Sequence, residues 1–151
     1  MANQLAEFLE ERKGKTKSVD WRERKDEWVA ALHRLQEQIN ELLEPSRKSG
    51  VASLRIGFVN IAEDHLGPYI APELTLSVGD EKVIFTPKGL RVFGTEGMVE
   101  VKGDRDAIPL IRHTSKGFDQ WEFLLQRVPD VVTVPLDEHS LVQALQRVMA
   151  P

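Results

Sequence analysis

Two hydrophobic rhythms meet between Pro45 and Gly50: before this segment apolar residues recur at helical spacing, and after it they alternate. Trp21, Trp28, Leu32, Leu35, Ile39 and Leu42 follow steps of three, four and seven, while Arg22, Glu23, Asp26, Glu27, Arg34, Glu37 and Glu41 fill the positions between. That pattern predicts one long amphipathic helix from Asp20 to Glu44. Asp20 followed by Glu23 has the form of an N-cap with its capping-box partner, and Pro45 ends the pattern. Upstream, Leu5, Phe8 and Leu9 suit a short helix, and Lys13 to Lys17 suits a solvated joint. Residues 1–19 are therefore expected to form a flexible arm ahead of a single domain spanning 20–151.

Beyond Gly50 the alternation predicts strands at Val51 to Ile61, Ile70 to Val78, Lys82 to Thr86, Leu90 to Phe93, Met98 to Lys102 and Ala107 to Arg112. Turn chemistry at Gly79-Asp80, Pro87-Lys88, Gly94 to Gly97 and Gly103 to Asp106 makes antiparallel hairpins of them. Pairing outward from those turns sets Leu76 against Val83, Phe85 against Leu90, Val92 against Val99 and Val101 against Ile108, all on one face. The same register sends Ile84, Phe93, Met98 and Ile111 to the opposite face, among Arg91, Glu100 and Lys102. A solvated sheet face normally carries steady polar residues, so this one is expected to be covered by the C-terminal helix, a second subunit or another protein. Phe118 to Val128 fits either period; its aromatic content and Pro129 favour a strand, followed by a short one at Val131 to Val134. Leu136 and Leu141 flank Asp137 at hydrophobic-staple spacing and open a short closing helix. The expected fold is α+β: a long N-terminal amphipathic helix, an antiparallel β-meander and a short C-terminal helix.

The helix stripe has two possible uses. It either packs across the sheet of its own chain or forms a coiled-coil seam, with apolar a and d positions broken only by Lys25. Trp21 and Trp28, seven residues apart, are correspondingly core residues or anchors for a partner.

Composition narrows the classes of function. The 151 residues are 41% hydrophobic and 29% charged, which suits one domain with a proper core. The net charge of −4 has the wrong sign for wrapping phosphates and argues against nucleic acid as a partner. All of it arises after Ser49, since Lys and Arg balance Asp and Glu ten to ten before that point. With no cysteine, a disulfide framework, a thiolate zinc site and a cysteine nucleophile are excluded together. No leader-like or membrane-length apolar run occurs, so a cytoplasmic location is expected.

Chemical candidates are few. Glu100-Val101-Lys102 resembles the Glu-x-Lys element of metal-dependent nucleases, which implies a magnesium-binding carboxylate and a lysine that assists phosphodiester cleavage. A cross-strand pair between Glu100 and Arg91 is the simpler account. Glu63, Asp64 and His65 form a loop cluster suited to a hard metal or to acid–base work, and equally to a polar loop. Gly103 to Asp106 suits a turn better than a calcium loop. Serine-hydrolase, phosphate-loop and dinucleotide motifs are absent from the sequence. The expectation is a non-enzymatic interaction module needing no cofactor, an adaptor, chaperone-like or immunity-type protein that meets a protein partner or forms a homodimer. Its contacts would come from Ile84, Phe93, Met98 and Ile111 or from Trp21 and Trp28. The alternative is a divalent-metal phosphodiesterase using Glu100 and Lys102, with Glu63, Asp64 and His65 as the other metal candidates.

Overall fold

A computed structural model describes residues 3–17, 20–92 and 95–151. Helix α1 (Gln4–Lys17) precedes the long α2 (Trp21–Leu42) and the short α3 (Glu44–Lys48). Seven strands follow: β1 (Ala52–Glu63), β2 (Gly67–Val78), β3 (Glu81–Gly89), β4 (Met98–Lys102), β5 (Ala107–Ser115), β6 (Phe118–Gln126) and β7 (Val132–Pro135). They form one sheet in chain order, every neighbouring pair antiparallel, and α4 (Glu138–Val148) closes the chain. This is the α+β arrangement expected from the period change.

Helix α2 starts where its cap predicts, with the Asp20 carboxylate accepting the Glu23 N–H at 3.1 Å. Its buried residues, Trp28, Ala31, Leu32, Leu35, Gln36 and Ile39, are the stripe read from the sequence, and they pack onto the chain's own sheet. Pro45 lies in the first turn of α3, where its missing N–H costs nothing. Helix α1 continues through the segment expected to be a joint. Asp137 caps α4 with a reciprocal Ser140 capping box, and Leu141, Ala144 and Val148 face inward.

One apolar core unites α2, α4 and a single sheet face carrying Leu74, Leu76, Val83, Phe85, Val99, Val101, Ile108, Leu110 and Phe123. Leu76 stands opposite Val83 and Val101 opposite Ile108, as the tight turns predict. The other two expected pairings are corrected. Leu90 and Val92 are not in a strand, and β3 instead runs on through Pro87 and Lys88 to Gly89, so that Phe85 faces Val101 and Pro87 faces Val99. A proline withdraws one donor from the ladder, and the register shift between Pro87 and Gly89 absorbs the defect. The described chain leaves the sheet at Leu90, and β4 begins at Met98.

The β1–β2 hairpin outgrows the sheet. β3 pairs with β2 only from Leu74 to Val78, so the remainder is a free two-stranded ribbon, which twists more strongly than a wide sheet. Burial changes parity there: Leu74 and Leu76 face the core, whereas farther along Tyr69 and Ala71 do and Ile70 is exposed. The ribbon's curl brings its tip over the start of α2 and turns part of its apolar surface outward.

Candidate functional site

The ribbon tip holds the first cluster singled out in the sequence. Glu63 ends β1, and its carboxylate accepts the Tyr69 hydroxyl and the backbone N–H groups of Leu90 (3.2 Å) and Arg91 (3.0 Å). The Trp28 indole N–H in turn donates to the Tyr69 hydroxyl at 3.1 Å. Glu63 thus pins the loop after β3, satisfying two donors that left the ladder when the strand ended. Asp64 meets Arg91 through its backbone carbonyl, and His65, at φ 68°, stacks on Trp21 with 4.8 Å between ring centroids. The three residues stay adjacent but have separate contacts. Among the described residues, no group of three or more His, Cys, Asp or Glu is placed to hold a metal ion.

Burial first, then the hydrogen bond and charge of Glu63, pushes the Tyr69 phenol well above its ordinary value. The unfolded phenol titrates near 10.0, so Tyr69's contribution is complete below that pH and is lost as pH rises through it toward the higher folded value. Urea unfolding of the wild type should therefore show stability falling above pH 10, and Tyr69→Phe should flatten that slope. At neutral pH the same substitution should cost about 1–3 kcal/mol, because it leaves a half-buried carboxylate and the indole N–H short of a partner.

Beside this network opens a polar cleft of about 800 Å³ between the first turns of α2, the loop from Leu90 and the end of β5. Arg91 and Arg24 lie 4.8 and 5.8 Å from the Trp21 ring centroid. At its base Arg112, a core-face residue opposite Trp121, has only 4% of its side chain exposed. Its Nε donates to Asp119 at 2.8 Å and its Nη1 to the Glu96 carbonyl at 3.0 Å, while Arg34 of α2 also grips Asp119 at 2.7 Å. Trp21 is half-buried at the cleft wall, whereas Trp28 is wholly buried and is a core residue with no surface to offer a partner.

The face of the sheet turned away from the helices carries Ile84, Met98 and Ile111, as the alternation indicates; Phe93 lies outside the described residues. Met98 stands directly opposite Ile111. Ile111 is buried and the other two are half-buried. Glu100 and Lys102 share that face, but Thr86, not Arg91, stands opposite Glu100, and Lys88 is its ionic partner at 3.7 Å. The expected Arg91 pair fails because Arg91 belongs to the loop.

A further exposed apolar surface lies on the β1–β2 ribbon. Ile56, Phe58 and Ile70 are 56, 65 and 61% exposed and share one face of the β1–β2 ribbon, the face that carries the core residue Leu74: Ile56 faces Leu74, Phe58 faces Pro72 and Asn60 faces Ile70. A sequence signal for it exists: from Ile56 to Ile61 apolar side chains occupy both parities, which a half-buried strand does not require. Beside these residues, a groove of about 490 Å³ runs between α2 and β1 over Leu54, Ile56 and Leu74.

The fold and this surface define an α+β protein in which two helices cover one face of an antiparallel meander and an apolar ribbon is left uncovered. No protein-family model, curated protein or solved structure matched the chain. Among the described residues, no helix is long and apolar enough to cross a membrane.

Proposed function

We propose that the chain is a non-enzymatic protein–protein interaction module, an adaptor, chaperone-like or immunity-type protein, working in the cytoplasm as a homodimer or with another protein. The observation that carries this is the exposure of Ile56, Phe58 and Ile70 along one face of the β1–β2 ribbon, next to the core residue Leu74. Ile84 and Met98 offer a flatter surface on the helix-free face, and Trp21 stands at the cleft wall. The coiled-coil use of the helix stripe is not part of the proposal, since that stripe is spent on the sheet. No observation favours the phosphodiesterase alternative, because Glu100 is paired with Lys88 on an open face.

Native mass spectrometry of the protein isolated from its own host tests the proposal. The expected result is a stoichiometric protein complex, homomeric or mixed, that disappears in the variant Phe58→Ser/Ile70→Ser while circular dichroism stays unchanged. The variant Ile84→Ser/Met98→Ser reads the share of the helix-free face. A lone monomer from the host would sink the interaction role, and magnesium-dependent phosphodiester cleavage abolished by Glu100→Ala would put the alternative in its place.

A further inference from the structure

We infer that the occupant of the ribbon edge is a second copy of this chain, joined β1 to β1 in antiparallel register about a two-fold axis at Gly57. The inference rests on the proposed interaction role and names its partner. β1 is an edge strand of twelve residues, with continuous β2 pairing on one side and, among the described residues, no strand on the other. Edge strands expose a row of backbone donors and acceptors that another strand satisfies best, and soluble proteins normally blunt such edges with proline, bulges or shortness. The opposite edge is blunted: β7 has four residues, ends in Pro135 and pairs through a register shift. β1 has no proline, and its register with β2 is unbroken.

The strand's own sequence is complementary to itself in this register. A two-fold at Gly57 places Ile56 of each copy opposite Phe58 of the other, so two apolar pairs join on the side where both residues are exposed. Arg55 then stands opposite Val59 and Glu63 opposite Val51, so no like charges meet. A slip of one residue would set side chains from opposite faces against each other. The axis also sits at the one glycine of the strand, where a Cβ would meet nothing within 4 Å. Because β7 is blunted, the interface is isologous and closes at two copies; head-to-tail β1–β7 pairing would produce filaments. The product is one continuous sheet with α2 of both copies on the same side.

Sedimentation velocity of the purified chain over about 1–100 μM is the first measurement. The expected species has twice the 17.1 kDa chain mass. Phe58→Asp is expected to weaken it by about tenfold or more, since each substitution acts twice in a symmetric interface. Val132→Asp, at the opposite edge, should leave it unchanged. The chain has no cysteine, so Gly57→Cys supplies a lone thiol that should form a cross-linked dimer on mild oxidation, whereas Phe118→Cys should not. A monomer at every concentration overturns the self-pairing, as does a dimer that ignores Phe58→Asp and gives no Gly57→Cys cross-link. If the purified chain is monomeric yet leaves its host bound to another protein, self-pairing falls and the interaction role stands; a lone chain in both preparations removes both.

Discussion

Trp28→Ala is expected to remove about 3–5 kcal/mol of folding stability, the largest loss available from one apolar side chain in this protein. Trp28 is wholly buried and contributes on several fronts at once. Its ring lies 6.1 Å from that of Trp121, its N–H holds Tyr69, and its six-membered ring occupies the space where a side chain at residue 97 would be. Gly97 has φ +138°, and a Cβ there would overlap that ring, approaching Cη2 to 2.7 Å. Gly97→Ala should therefore destabilise the fold by several kcal/mol, combining a backbone penalty with a clash against a residue that has no room to retreat. The two sites should not be additive. In a Trp28→Phe background the smaller ring relieves the overlap, so Gly97→Ala should cost less there than in the wild type. Equal costs in both backgrounds, measured by urea unfolding with unchanged m-values, would show that the ring and the glycine do not constrain each other.

How the sequence relates to this architecture is clearest residue by residue. The helix stripe, the meander and the closing helix were legible because their signals are local: a 3.6-residue period, tight turns at Gly79-Asp80 and Gly103 to Asp106, and the Asp137 cap. The Leu76–Val83 and Val101–Ile108 pairs followed, since each lies within a few residues of such a turn. Pro87-Lys88 misled because proline is a strong turn former, and only the neighbouring strand decides whether a bulge can absorb it instead. One misplaced turn then displaced Arg91 from Glu100 and Val92 from Val99. The exposed ribbon was missed for a different reason: alternation gives the face of each residue, but the twist that exchanges the two faces beyond Leu74 depends on where β3 stops pairing. Arg112 was likewise hidden, because a charged residue at a strand end reads as solvated until Asp119 and α2 close over it.

That closure makes Asp119 the other position where a single change should be severe. Arg112 lies beside Trp28 and opposite Trp121, with Asp119 as its closest ionic partner at 2.8 Å and Glu27 at 3.5 Å. Taking a guanidinium out of water is tolerable only while its counter-charge is held in place. Asp119→Ala should thus cost about 3–5 kcal/mol, chiefly by leaving the buried Arg112 with only the more exposed Glu27 carboxylate, 3.5 Å away, as counter-charge. Its contact with Arg34 adds little to that figure, since the Arg34 side chain is 54% exposed and water screens the pair. The decisive comparison is the double variant Arg112→Met/Asp119→Leu, which removes both charges and keeps the volume. It should be substantially more stable than Asp119→Ala, because an apolar replacement of a buried ion pair is often neutral or better. Urea denaturation of the wild type, Asp119→Ala and the double variant makes the comparison. If the double variant proved no more stable than Asp119→Ala, the cost would lie in packing lost at the β5–β6 ladder and not in the stranded charge. With the expected result, the loss in Asp119→Ala lies in the stranded charge rather than in the packing, and an apolar pair can stand in for the ionic one. Its remaining role is then geometric: Asp119 binds Arg34 of α2 and Arg112 of β5 together, fixing where the helix crosses the sheet and hence the width of the cleft that Arg112 floors.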